Sequence, residues 1–176
     1  MSLINSLTEQ ATFSFSGRIN VLHAETKQFL GTIQMKDGLI VDSFYRGMEG
    51  KNSLFKILIE DMTDAFPLKF IVEPELIENE SFSYSVSDFT KEARRHYENF
   101  LASKKLKPPG HIKLLIKGDF MLHGSHVSST EFQVLKVISD YSKVDDIYNE
   151  SGLMEYEVTN ALVSLRKKGA LRVYQP

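Results

Sequence analysis

The chain has 176 residues, of which 42% are hydrophobic and 25% charged, and a formal net charge of −2. Its 12 Phe and 7 Tyr offer ample apolar surface to bury, which excludes a wholly disordered chain, and the balanced charge excludes a globally polycationic binder of nucleic acid or acidic lipid. The absence of cysteine excludes disulfides, thiolate metal sites, iron–sulfur clusters and thiol nucleophiles.

The start Met1-Ser2-Leu3-Ile4-Asn5 lacks the basic and apolar regions of a leader peptide, and no apolar run approaches the about 18 residues of a membrane span. A cytoplasmic protein without membrane insertion is the expectation. Residues 1–77 are expected to form one domain, 78–110 a helix and basic linker, and 111–176 a second domain.

In the first domain Phe13, Phe15, Ile19 and Val21 share a parity, with polar Ser14, Ser16, Arg18 and Asn20 opposite. This alternation predicts a half-buried strand. Glu25-Thr26-Lys27-Gln28 reads as a turn, and Phe29, Gly31, Ile33 and Met35 mark a second strand. Asp37-Gly38 tolerates the positive φ angles of a tight hairpin, so Leu39-Ile40-Val41 begins the return strand, running to Phe44 or Tyr45. Gly47 and Gly50 bracket a turn. A helix follows over residues 53–62, with Leu54, Ile57, Leu58 and Met62 inward; Pro67 stops it, and Leu68, Phe70 and Val72 alternate as a further strand.

Residues 81–86 alternate strictly and predict an edge strand able to pair with a partner chain. Asp88 is the expected cap of the next helix, whose inner face carries Phe89, Ala93, His96 or Tyr97, Phe100 and Leu101. Its basic residues Lys91, Arg94, Arg95 and Lys104, and those of the linker, read as a solvated face rather than a binding site. Lys107-Pro108-Pro109-Gly110 forms a stiff link.

The last third holds the clearest local signals. Ser128-Ser129-Thr130-Glu131 is a capping box in front of a helix with Phe132, Leu135, Val137, Ile138 and Tyr141. A short second helix spans 144–150, Gly152 suits a left-handed turn, and a third helix runs over 155–168 with Val158, Ala161, Leu162 and Leu165 inward. Gly169 ends it and residues 170–174 form a strand. The expected fold class is α+β: a small antiparallel-sheet α/β domain followed by a three-helix domain.

Through Val144-Asp145-Asp146-Ile147, Gly152-Leu153, Val158, Leu162, Leu165 and Lys168-Gly169-Ala170-Leu171, residues 143–173 resemble a winged helix-turn-helix. The missing second wing strand would come from residues 112–116. Residues 15–73 resemble the PATAN domain of bacterial signalling proteins. That likeness rests on Phe15-Ser16-Gly17-Arg18-Ile19, Gly31-Thr32-Ile33, Lys36-Asp37-Gly38-Leu39-Ile40-Val41, Gly50 and Phe70-Ile71-Val72. It implies a scaffold or switch without catalytic residues.

A DNA-reading helix-turn-helix drives the first turn of its third helix toward base edges. Here that turn is Met154, Glu155, Tyr156 and Glu157. Its two carboxylates oppose phosphate and suit a basic protein partner, with Met154 and Tyr156 as the expected apolar anchor. Arg166, Lys167, Lys168 and Arg172 are the candidate contacts to a nucleic-acid backbone under the alternative reading. His111, His123 and His126 lack the companions of a zinc site, and no nucleophile elbow, P-loop or dinucleotide fingerprint is present. The expectation is a non-enzymatic adaptor without metal or cofactor. It would act on a protein partner, with self-association included and DNA as the alternative.

Overall fold

A computed structural model describes residues 2–63, 67–124 and 126–174; the expected domain ends at Met1 and Pro176, and Ser125 of the histidine-bearing loop, lie outside the described residues. The described residues form a mixed α+β protein with seven helices and a five-stranded antiparallel sheet. None of their helices is long and apolar enough to cross a membrane. The chain divides into two compact units, Met1–Glu98 and Asn99–Pro176.

The first unit opens with a helix where the sequence suggested none. Leu3 and Leu7, one turn apart, are fully buried in α1 (Leu3–Thr12). Ser2 accepts from the Asn5 N–H, and Asp61 Oδ2 accepts from the Leu3 N–H at 2.8 Å, so both side chains satisfy orphan donors of the first turn. The strand expected from Phe13 therefore begins only at β1 (Gly17–His23), and Phe13 is 75% exposed at the helix C-terminus.

β2 (Phe29–Lys36) and β3 (Leu39–Tyr45) are joined as expected: Asp37 (φ 49°) and Gly38 (φ 81°) form a two-residue turn that pairs Lys36 with Leu39. Arg46 (φ 47°) and Gly47 (φ 80°) repeat the device and pair Tyr45 with Met48, adding the short β4 (Met48–Glu49). After α2 (Lys51–Thr63), β5 (Leu68–Pro74) completes the sheet in the order β4-β3-β2-β1-β5. Two cross-strand rows, Ile19–Ile33–Ser43 and Val21–Gly31–Tyr45, form the inner face. Leu54, Ile57 and Leu58 of α2 are buried with them. Met62, expected inward, is exposed. Phe29 is exposed as well, because the register slips between Val21 and Leu22 and turns it away from the row that Gly31 occupies.

Residues 81–86 are not a free edge. The backbones of Ile40 and Tyr84 exchange both hydrogen bonds at 2.9 Å, and Tyr84 and Val86 are buried. Helix α3 (Val86–Lys104) starts ahead of Asp88, and the hydroxyl accepting from the Asp88 N–H is that of Ser85. The division between the units falls inside α3, so residues 78–98 fall in the first unit and 99–110 in the second. Phe89 and Ala93 are buried, and His96 stacks on Phe55 with ring centroids 3.7 Å apart.

The second unit holds β6 (Lys113–Ile116), α4 (Gly118–His123), α5 (Ser129–Asp140), α6 (Val144–Glu150), α7 (Glu155–Lys167) and β7 (Leu171–Tyr174). The capping box at Ser128 and Glu131 is complete, Gly152 (φ 65°) turns α6 into α7, and Gly169 (φ 73°) ends α7. Val134, Val144, Ile147, Val158 and Leu165 are fully buried in one apolar core, while Phe132 and Tyr141 of the expected stripe are exposed. β6 and β7 pair antiparallel, Lys113 with Tyr174 through Ile116 with Leu171.

Candidate functional site

Helix α7 begins with the four residues expected to grip a partner, and the structure separates them. Met154 is only 3% exposed and Tyr156 8%, so neither is an apolar anchor on the surface. Met154 stands four residues before Val158 and eight before Leu162, so it follows the spacing of the buried stripe, whereas Tyr156, two residues before Val158, is buried on another side of the helix. The two carboxylates are fixed locally. Glu157 Oε2 accepts from the Met154 N–H at 2.9 Å. Glu155 pairs with Lys107 at 3.0 Å, and the Lys107 ammonium also lies 4.7 Å from the Tyr148 ring centroid.

The basic set divides too. Lys168 is tied down, its ammonium 2.7 Å from Glu131 Oε2 and 2.9 Å from the His126 carbonyl oxygen. Arg166, Lys167 and Arg172 are exposed and make no ion pair with another described residue. Among the described residues no group of three or more His, Asp or Glu is placed to hold a metal, which includes His111, His123 and His126.

A further feature lies on the outer face of the five-stranded sheet. Strand alternation that sends Ile19, Ile33 and Ser43 inward sends their neighbours outward. Glu73, Arg18, Gln34 and Asp42 stand in one row across four strands, and Asn20 and Thr32 stand in the next. Residues 75–79 cross this face and, with Phe29, wall a cleft of about 550 Å³. At one end Arg18 is held by Glu73 (3.0 Å) and Glu75 (3.5 Å), and Asn20 donates to the same Glu73 at 2.7 Å. Asp42, two strands away, accepts only from its neighbour's Ser43 N–H among described residues, at 2.8 Å.

Thr32 Oγ1, on the floor of this cleft, is buried without a hydrogen-bond partner among the described residues. An orphaned buried hydroxyl costs about 1–3 kcal/mol, whereas an apolar group of the same shape does not. Thr32→Val is therefore expected to raise the stability of the first unit by about 1 kcal/mol in urea denaturation; a loss of stability would mean that the hydroxyl has a partner.

The sequence pattern already placed Arg18 and Asn20 on the outer parity. What it lacked was any sign that residues 75–79 return over that face. Comparison with protein-family models, with curated proteins and with solved structures finds no match to this chain.

Proposed function

We propose that the chain is a non-enzymatic adaptor of bacterial signalling. A PATAN-like first unit and a winged-helix second unit would act by holding other polypeptides. The observation that carries this reading is the first turn of α7. Glu155 and Glu157 are anchored by Lys107 and by the Met154 N–H, so they cannot swing aside without giving up an ion pair and a helix cap. Duplex DNA presents one negative charge per about 1.7 Å of axis; Lys107 offsets Glu155, and the Glu157 carboxylate fixed at the probing turn is still repelled by it. A Lys- or Arg-bearing protein surface meets them favourably. With Met154 and Tyr156 buried, apolar contact falls instead to side chains such as Phe132, which is 64% exposed on α5.

Binding partners retained from native cytoplasm by the wild-type chain and by a Glu155→Lys/Glu157→Lys variant that circular dichroism shows to be folded at the assay temperature test this reading. At least one stable partner should be lost, and full retention would overturn it. One observation favours DNA binding: Arg166, Lys167 and Arg172 stay exposed beside a ribbon completed by β6. Fluorescence anisotropy with duplex DNA at low salt is expected to show no binding. Salt-sensitive binding weakened tenfold or more by Arg166→Glu/Lys167→Glu would replace the adaptor with a transcription regulator.

A further inference from the structure

We infer that the cleft on the outer face of the sheet is a docking site for a basic segment of a partner polypeptide, with Asp42 receiving a Lys or Arg side chain. The inference concerns the first unit alone and stands whatever α7 contacts.

Charge selects the occupant. Of the described residues walling the cleft, Asp42, Glu75 and Glu78 are acidic and Arg18 is the one cation. Arg18 is already committed to Glu73 and Glu75. Adjacent strands lie about 4.8 Å apart, so Asp42 is roughly 10 Å from Arg18 across the intervening strand, about one Debye length at 0.1 M salt. The Arg18 end is thus self-neutralised, and Lys36, two residues beyond Gln34 in β2, is committed to Glu80 at 2.6 Å, so Asp42, flanked by the Gln34 amide in the same row, has no ion-pair partner among the described residues. An anionic ligand finds no free cation there.

Shape and lining select a polypeptide over a free small molecule. Sites for small molecules are enclosed and mainly apolar, with few polar groups. Here the floor is polar, Arg18 through Asp42. The apolar material sits beside it: Leu76 is 82% exposed and Phe29 is exposed at the wall of the cleft. That arrangement suits a long basic side chain, whose methylenes lie on apolar surface while the charged head reaches a carboxylate.

The test uses the full-length chain and a fluorescein-labelled nonapeptide of alternating Arg and Ser, with fluorescence anisotropy at 50 and 200 mM salt. Binding is expected for the wild type. Asp42→Asn should weaken it tenfold or more, and Asp42→Asn/Glu78→Gln further still. Glu98→Gln removes an exposed carboxylate on α3, outside the cleft, and should leave affinity within twofold. Thermal melts verify that each variant is folded. No peptide binding, or equal losses for Asp42→Asn and Glu98→Gln, overturns the proposal. Spermidine displacing the peptide at an equal or lower concentration than unlabelled peptide also overturns it, because the site would then belong to a free polyamine.

Discussion

Glu131→Ala is expected to destabilise the second unit by about 3 kcal/mol, with loss of hydrogen-exchange protection in α5 and α7. Two bonds converge on this one buried side chain and a third starts from its backbone. Its Oε2 accepts from the Ser128 N–H at 2.6 Å, closing the capping box, and from the Lys168 ammonium at 2.7 Å, while its own N–H donates to Ser128 Oγ at 3.2 Å. It joins the start of α5 to the C-terminal cap of α7. Removing one partner of a buried pair costs about 3–5 kcal/mol. The figure here lies at the lower end because Lys168 is partly exposed and can turn to water once released. Ser128→Ala, which removes only the hydroxyl of the cap, should cost about 1 kcal/mol.

The same residue sets an acid limit on stability. Burial pushes the Glu131 carboxyl up, but hydrogen bonds from Lys168, Ser164 and the Ser128 backbone outweigh it and hold the carboxyl at about 2, below its ordinary 4.5. A carboxyl depressed on folding contributes stability that is complete above the unfolded value and is lost as pH falls toward the folded one. The second unit should therefore weaken between about pH 5 and pH 2. Glu131→Gln, which cannot ionise, should flatten that part of the profile. An unchanged acid limb in circular-dichroism melts would show that the pairing has been misjudged.

The stretches that the sequence rendered well are those where structure is decided within a few residues. The capping box, Gly152 and Gly169 mark the bounds of α5, α6 and α7 through backbone bonds and φ angles that need no distant partner. Asp37-Gly38 did the same for the hairpin. The misreadings share a non-local cause. Phe13 and Phe15 match the parity of Ile19, yet the chain before Gly17 is committed to α1 by burial of Leu3 and Leu7. Phe29 follows the alternation of Ile33 until a register shift against β1 turns it out. Residues 81–86 alternate like an edge strand because Tyr84 bridges to Ile40 in their own unit. Met154 and Tyr156 read as loop-side residues free for contact, and only tertiary packing decides that they are buried. The cleft was half visible: its floor is the polar parity of the strands, while its wall at 75–79 comes from a stretch with no periodicity of its own.

The second large effect is expected at Gly31, where alanine should cost the first unit about 3 kcal/mol. Gly31 sits mid-strand in β2, opposite Val21 on one side and Tyr45 on the other, in a row that faces the core. A Cβ there would lie 2.2 Å from the Phe44 carbonyl oxygen, 2.8 Å from the Tyr45 Cα and 2.9 Å from its ring. Two of those three atoms are backbone of the neighbouring strand, so relief requires β2 and β3 to part rather than a side chain to rotate. The ring cannot withdraw freely either. Tyr45 is fully buried, its hydroxyl donates to Glu60 Oε2 at 2.5 Å, and Glu60 lies 3.7 Å from the Arg46 guanidinium. Burial, followed by this bond to Glu60, pushes the Tyr45 hydroxyl well above the ordinary tyrosine range, so it stays a donor across the working pH range. Overpacking a core of this kind costs about 1–3 kcal/mol, and the upper end applies where backbone must move. Gly118→Ala is the matched control. It begins α4 with nothing within 4 Å of the added methyl group and should change stability by less than about 0.5 kcal/mol. Urea titrations of the two variants, with exchange protection of the β2–β3 amides as the local readout, separate the cases. Equal stabilities would mean that the Tyr45 ring does not lie against Gly31.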